Sequence, residues 1–185
     1  MWLVDHQMNQ LVSQTFGQYF VRLPLTKHAK IVQGNALQID WQSIIIKMPW
    51  DKKMPRFNYI LGNPPFIGKQ LQSAIQKKDM QLVFNGVKAA GLLDYVAAWY
   101  LRAAQYIVKA NKKEDSLPKT QCGFVSTNSI SQGEQVGVLW QELFFKYKIK
   151  INFAYQTFKW SNEASGNAGD FFAPRIIRDV EQSSH

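Results

Sequence analysis

ILGNPPFIGK, residues 60–69, carries an apolar run through a glycine into an asparagine, two consecutive prolines and a phenylalanine. Apolar runs closed by glycine read as strands, so FNYILG at 57–62 is expected to be one, with NPPF as its exit. AKIVQG at 29–34 reads the same way. Downstream, Leu93, Val96, Ala97, Tyr100, Leu101, Ala104 and Val108 recur at helical spacing, and Asp94 near the start suits the helix dipole. A buried strand is expected at 122–127, a helix near 134–147 and another strand at 150–155. NKKEDSLPKTQ at 111–121 reads as a charged loop. Residues 1–16, closed by Gly17, suit a helix that begins without a capping residue, as though cut rather than started. No repeat or low-complexity tract interrupts this order.

Strand and helix alternating at this spacing argue for an α/β layer with a largely parallel sheet. Ligands of such sheets sit outside the carboxyl ends of the strands. Three polar strand ends are expected there: Gly34-Asn35, Gly62-Asn63 and Ser126-Thr127-Asn128.

The exit of the 57–62 run has a chemical reading. Two prolines fix φ at successive positions and remove two donors, so the loop is stiff and its carbonyls have no internal claim on them. Pro64 also keeps Asn63 out of helical geometry. The Asn63 amide oxygen and the Pro64 carbonyl then form a pair of acceptors suited to a planar amino group, with Phe66 lying against the ring that carries it. An adenine N6 amine is a poor nucleophile because its lone pair is delocalised. Two acceptors that favour a more pyramidal nitrogen, with positioning against an electrophilic methyl, raise its reactivity. The plainer reading is a proline-stiffened turn followed by a core phenylalanine.

Composition bounds the alternatives. The chain has 185 residues, 46% of them hydrophobic, enough for one sizeable core. Twenty-two Lys and Arg against thirteen Asp and Glu leave a formal charge of +9, which favours a polyanionic partner such as DNA or RNA, or else makes a merely basic surface. The single cysteine, Cys122, excludes an internal disulfide and any Cys-based metal cluster, as expected of a reducing cytoplasm. No apolar run reaches membrane-spanning length and no signal-peptide layout precedes the first helix, so a cytoplasmic protein is expected. His6, His28 and His185 share no metal-ligand spacing. Cys122, inside an expected strand with no base partner in view, reads as an inert core thiol, and Trp99 with Tyr106 as a packed helix face.

The NPPF tetrapeptide after an apolar strand resembles the catalytic motif of S-adenosylmethionine-dependent amino methyltransferases. Five longer stretches narrow the resemblance: DHQMN at 5–9, FGQYFVRLPL at 16–25, GNALQIDW at 34–41, STNSISQGEQV at 126–136 and FKWSNEASGNA at 158–168. Together they resemble the methyltransferase region of type IIL single-chain restriction–modification enzymes. Those enzymes join a DNA adenine-N6 methyltransferase to an endonuclease and a target-recognition domain.

The resemblance implies a role for each matching residue. Asn63 and the Pro64 carbonyl accept from the target amine, Pro65 stiffens the loop, and Phe66 stacks on an adenine flipped out of double-stranded DNA. Asn35 takes the strand-end position that commonly carries an aspartate reading the adenine of S-adenosylmethionine. Phe158 and Trp160 are candidates for a second aromatic wall of the base pocket, or else core aromatics. Ser131, Gln132 and Glu134 match a family loop without an assigned role. No metal is implied.

The resemblance also implies what is lacking. The glycine-rich loop after the first strand and the acidic residue ending the second are not in this sequence, and DFFAPRIIRDVEQSSH at 170–185 departs from the family's apolar last strand. The expected architecture is therefore a partial Rossmann-like class I methyltransferase fold, mostly parallel, lacking the first strands and the last strand. Residues 1–168 would form a partial catalytic domain and 169–185 an irregular tail. The family's sheet order, 3-2-1-4-5-7-6, makes this an open sheet in need of segments from elsewhere. The isolated chain is expected to be inactive, its endonuclease and target-recognition partners lying outside it. Two other readings stand beside this one: a fragment of a glutamine N5-methyltransferase, whose planar amide poses the same chemical problem, and a non-catalytic remnant that binds nucleic acid weakly.

Overall fold

The structure is a computed structural model that describes residues 2–17, 30–50, 55–111, 119–159 and 170–178. It divides into two compact units, 1–33 and 34–185. The first unit contains helix α1, Trp2–Phe16, which ends where Gly17 adopts a left-handed φ of 66° and its N–H closes on the Ser13 carbonyl at 2.9 Å.

The second unit carries a five-stranded sheet: β1 (Tyr59–Gly62), β2 (Gln121–Phe124), β3 (Ser126–Thr127), β4 (Ile149–Lys159) and β5 (Asp170–Arg178). Between these strands run helices α2 (Ala74–Val83), α3 (Ala97–Asn111) and α4 (Glu134–Gln141), the last continuing as a π-helical turn over Glu142–Lys146. β1 pairs parallel with β2 from Tyr59↔Gln121 to Gly62↔Phe124. β5 runs antiparallel to β2, β3 and β4, so four strands point one way and β5 alone is reversed. No helix among the described residues is long and apolar enough to cross a membrane.

β5 corrects two expectations. The segment from Asp170 to Arg178 is a strand rather than an irregular tail, and it fills the place expected to be vacant: Arg175 is registered with Gly123 on one side and Phe153 on the other. Pro174 is accommodated because it needs no partner for an N–H it lacks. Pairing with β2 stops at Gly123↔Arg175 and resumes with β3 at Ser126↔Phe172, skipping the proline. Its charges and Pro174 disguised a segment rich in aromatic and β-branched residues, whose strand character comes from the strands it pairs with.

Of the expected strand at 29–34, the described residues 30–34 form none. Residues 30–33 belong to no strand of the described sheet, and Ile31 is 90% exposed. A strand needs a neighbour to take its N–H and C=O groups, and strand-like composition alone does not supply one. β1 is likewise a sheet edge among the described residues, with Tyr59 and Leu61 turned to solvent.

The core lies between the sheet and α3. Ala97, Ala98, Tyr100, Leu101, Ala103, Ala104 and Ile107 are all sealed from water, so α3 is buried on more than one face. Its alanines allow close approach, and Tyr100 meets Phe124 of β2 edge-on at 5.2 Å and Trp140 of α4 at 6.1 Å. Three polar side chains inside are matched: Tyr100 OH donates to Ser126 Oγ (3.1 Å), Trp140 Nε1 to the Ile130 carbonyl (2.7 Å) and Thr120 Oγ1 to the Phe57 carbonyl (2.7 Å). Sequence reasoning passed over α2, although Ser73 and Gln76 form a reciprocal capping box at its start.

Candidate functional site

Strand β1 delivers the 63–66 loop to the carboxyl end of the sheet. Gly62 lets the strand pass close to the core there: a Cβ would lie 3.2 Å from Cδ1 and Cε1 of Phe124, and that ring, buried against Tyr100, would have to give way. Beyond it, Pro64 is buried while Asn63, Pro65 and Phe66 face solvent. The Asn63 amide and the Pro64 carbonyl make no hydrogen bond among the described residues, so both are free to accept.

A cleft of about 410 Å³ opens beside this loop and along β1. Its lining joins Asn63, Pro64 and Pro65 to Ala36, Trp41 and Trp99, with the remaining walls apolar. Trp41 is fixed by donating Nε1 to the Ala36 carbonyl at 2.7 Å, and its ring tilts against Tyr106 at 6.1 Å. Trp99 stands edge-on to Tyr95 at 5.0 Å. Trp99, expected to pack in the core, packs against it half-buried and also lines the cleft, while Tyr106 is buried as expected.

Asn35 stands beside the cleft, one residue before Ala36, but its amide is occupied. Nδ2 donates to Asp79 Oδ2 at 2.9 Å, and Oδ1 accepts the Leu37 N–H at 2.9 Å. Asp79, 2% exposed, also receives Gln38 Nε2 and the Tyr95 hydroxyl, each at 2.7 Å. This four-residue node holds the turn at 35–38 in one conformation, and nothing local in the sequence announces it.

The loop beyond Phe66 is anchored separately. The Tyr95 N–H donates to the Ile67 carbonyl, and the Lys69 N–H to Asp94 Oδ1, both at 2.9 Å. Phe66 is not among the residues lining the cleft. Phe158 lies in β4, registered with Phe171, but its side chain falls outside the described residues, as does Trp160 altogether. Cys122 is buried, and burial pushes its thiol well up. Among the described residues no group of His, Cys, Asp or Glu could hold a metal ion.

Comparison with known proteins gives a consistent result. Residues 1–175 match the family model "MmeI, DNA-methyltransferase domain". The match reaches into β5, past the boundary expected at 168. "DNA methyltransferase A" of Bacillus subtilis (strain 168) is 38% identical over 169 residues, which are 91% of this chain and 18% of that protein. The solved structure of the type IIL restriction-modification enzyme MmeI in complex with DNA is 46% identical, with a TM-score of 0.73 over 97% of this chain and 22% of that one. The chain thus spans about a fifth of the length of these two relatives.

Proposed function

Because this chain belongs to the MmeI DNA-methyltransferase domain family, we propose that residues 63–66 are the amine-binding loop of an S-adenosylmethionine-dependent DNA adenine-N6 methyltransferase, within a single-chain restriction–modification enzyme. The observation that carries the reading is the uncommitted Asn63 amide, held on a proline-stiffened loop where β1 ends and the cleft begins.

In this reading Asn63 Oδ1 and the Pro64 carbonyl accept the two N6 hydrogens, drawing the amine out of conjugation with the ring. Acceptors already in place cost no reorganisation at the moment of transfer. Phe66, exposed at the loop tip, offers its face to the flipped adenine, and Phe158 and Trp160 are proposed for the opposite wall. Pro65 keeps the acceptors in register.

The described residues fit the purine end of the cofactor. Ala36, Trp41 and Ile44 offer an apolar slot beside Asn35, whose carbonyl oxygen retains a second lone pair. Among the described residues no carboxylate lines the cleft to hold ribose hydroxyls, and that part of the site is proposed to be supplied by residues other than these. When bound, S-adenosylmethionine supplies the electrophilic methyl group. Double-stranded DNA is the proposed substrate, consistent with the +9 charge.

The test is a chimaera in which this chain's residues 1–175 replace the corresponding segment of MmeI. Labelled methyl recovered as N6-methyladenine, and lost in Asn63→Ala, supports the reading. Label in protein glutamine, or transfer unchanged in Asn63→Ala, rejects it.

A further inference from the structure

We infer that Asp94 and Gln135 are positioning residues that clamp the far end of the 63–69 loop and thereby set where Asn63 and Phe66 stand; this rests on the reading of that loop as the amine-binding element. Gln135, in the first turn of α4, meets Asp94 twice. Its Nε2 donates to Asp94 Oδ2 at 2.9 Å, and its Oε1 accepts the Asp94 backbone N–H at 2.9 Å. This reciprocity also settles the orientation of the amide, since only the oxygen can face a backbone N–H and only the NH₂ a carboxylate.

The other carboxylate oxygen reaches the loop: Asp94 Oδ1 accepts the Lys69 N–H at 2.9 Å, while the adjoining Tyr95 N–H takes the Ile67 carbonyl at 2.9 Å. Two of the three residues after Phe66 are therefore fixed to the 94–95 turn, and that turn is fixed to α4. The prolines stiffen the loop from within, whereas Asp94 and Gln135 hold its end from outside. Lys69 Nζ also lies 3.7 Å from Glu134 Oε2, but this pair is exposed and adds little. The clamp touches neither the Asn63 amide nor the Pro64 carbonyl, so its effect is on placement, to which transfer rates are steeply sensitive.

The pair permits an exchange of polarity. Gln135→Glu sets a second carboxylate against that of Asp94 and breaks the contact. Adding Asp94→Asn restores a donor opposite an acceptor, and the introduced amide can still accept from Lys69. In the 185-residue chain, amide exchange at Lys69 is expected to quicken at least about tenfold in Gln135→Glu and to return to within about twofold of the parent in the double variant, with α3 amides equally protected throughout. In the chimaera, kcat should fall in Gln135→Glu with KM for DNA unchanged, and recover in the double variant.

Unaltered Lys69 exchange in Gln135→Glu, or no recovery in the double variant while α3 stays protected, overturns the clamp. If Gln135→Glu opens α3 as well, the double variant decides alone. Unchanged kcat in Gln135→Glu, with Asn63→Ala inactive, overturns the positioning role and leaves the loop's function standing. Full activity in Asn63→Ala rejects the functional reading instead, and the exchange measurement still decides the clamp.

Discussion

Asn35 and Asp79, 44 residues apart, meet at 2.9 Å through Nδ2 and Oδ2, and this contact joins the turn at the cleft to helix α2. Burial pushes the Asp79 carboxyl up, but hydrogen bonds from Gln38, Tyr95 and Asn35 outweigh it and leave it below its ordinary value of 3.8. A carboxylate lowered on folding adds stability at pH values above its unfolded value, and that stability is lost as pH falls through the folded value.

Stability owed to Asp79 should therefore be fully present from neutrality down to about pH 4 and fade below it. Asp79→Ala, which strands three donors, should cost about 3 kcal/mol at pH 7, and Tyr95→Phe, which removes one of them, about 1 kcal/mol. Urea midpoints from pH 7 to pH 3 measure both effects. An Asp79→Ala chain with the parent's midpoint at pH 7 would show that the node is not stabilising.

The sequence disclosed the loop but not the node, and range explains the difference. Gly62, Pro64 and Pro65 act on their own backbone, so 60–66 was readable from neighbours alone. Asn35, expected at a strand end, sits in a turn, and its partner Asp79 lies in α2 and is itself bonded by Tyr95, beyond any local pattern. β5 was hidden for a related cause. Pro174 argues against a strand locally, and only the break between β2 and β3 makes room for it. The opposite error arose at 29–34, where strand-like composition was read as a strand and residues 30–34 form none.

At the loop, function and stability should separate. Asn63→Ala removes an exposed side chain without a partner among the described residues, so unfolding should shift by no more than about 0.5 kcal/mol. Methyl transfer in the chimaera should fall at least about hundredfold, the scale of losing one fixed group that acts on the transition state. Phe66→Ala should weaken DNA containing a flipped or mismatched adenine more than fully paired DNA. Equal losses on both would remove Phe66 from the base pocket.

Cys122 offers a check on the core that is independent of function. Its side chain is 1% exposed in β2, and burial raises its thiol, so little thiolate forms near neutrality. A thiol-specific disulfide reagent at pH 8 should leave the native chain unmodified and react once per chain in urea. Cys122→Ser should lower stability by about 1–3 kcal/mol, because a buried hydroxyl without a partner replaces an apolar group. Rapid labelling of folded chain would mean that β2 is not enclosed as described.

The reversed strand leads to the most demanding prediction. β4 pairs only with β5 among the described strands, and β2 gives β5 the edge that β1 does not occupy. Ending the chain after Gly169 should therefore do more than trim an end: it strips β4 of its ladder and exposes one edge of β2. Amides of 149–154 should lose protection and thermal unfolding should lose cooperativity, while α3 retains residual protection through its contacts with α2 and α4. Pro174→Asp, which leaves the chain length unchanged, should destabilise less, since pairing with β2 and β3 already skips that position. If the shortened chain unfolds like the parent, the strand at 170–178 does not complete the sheet.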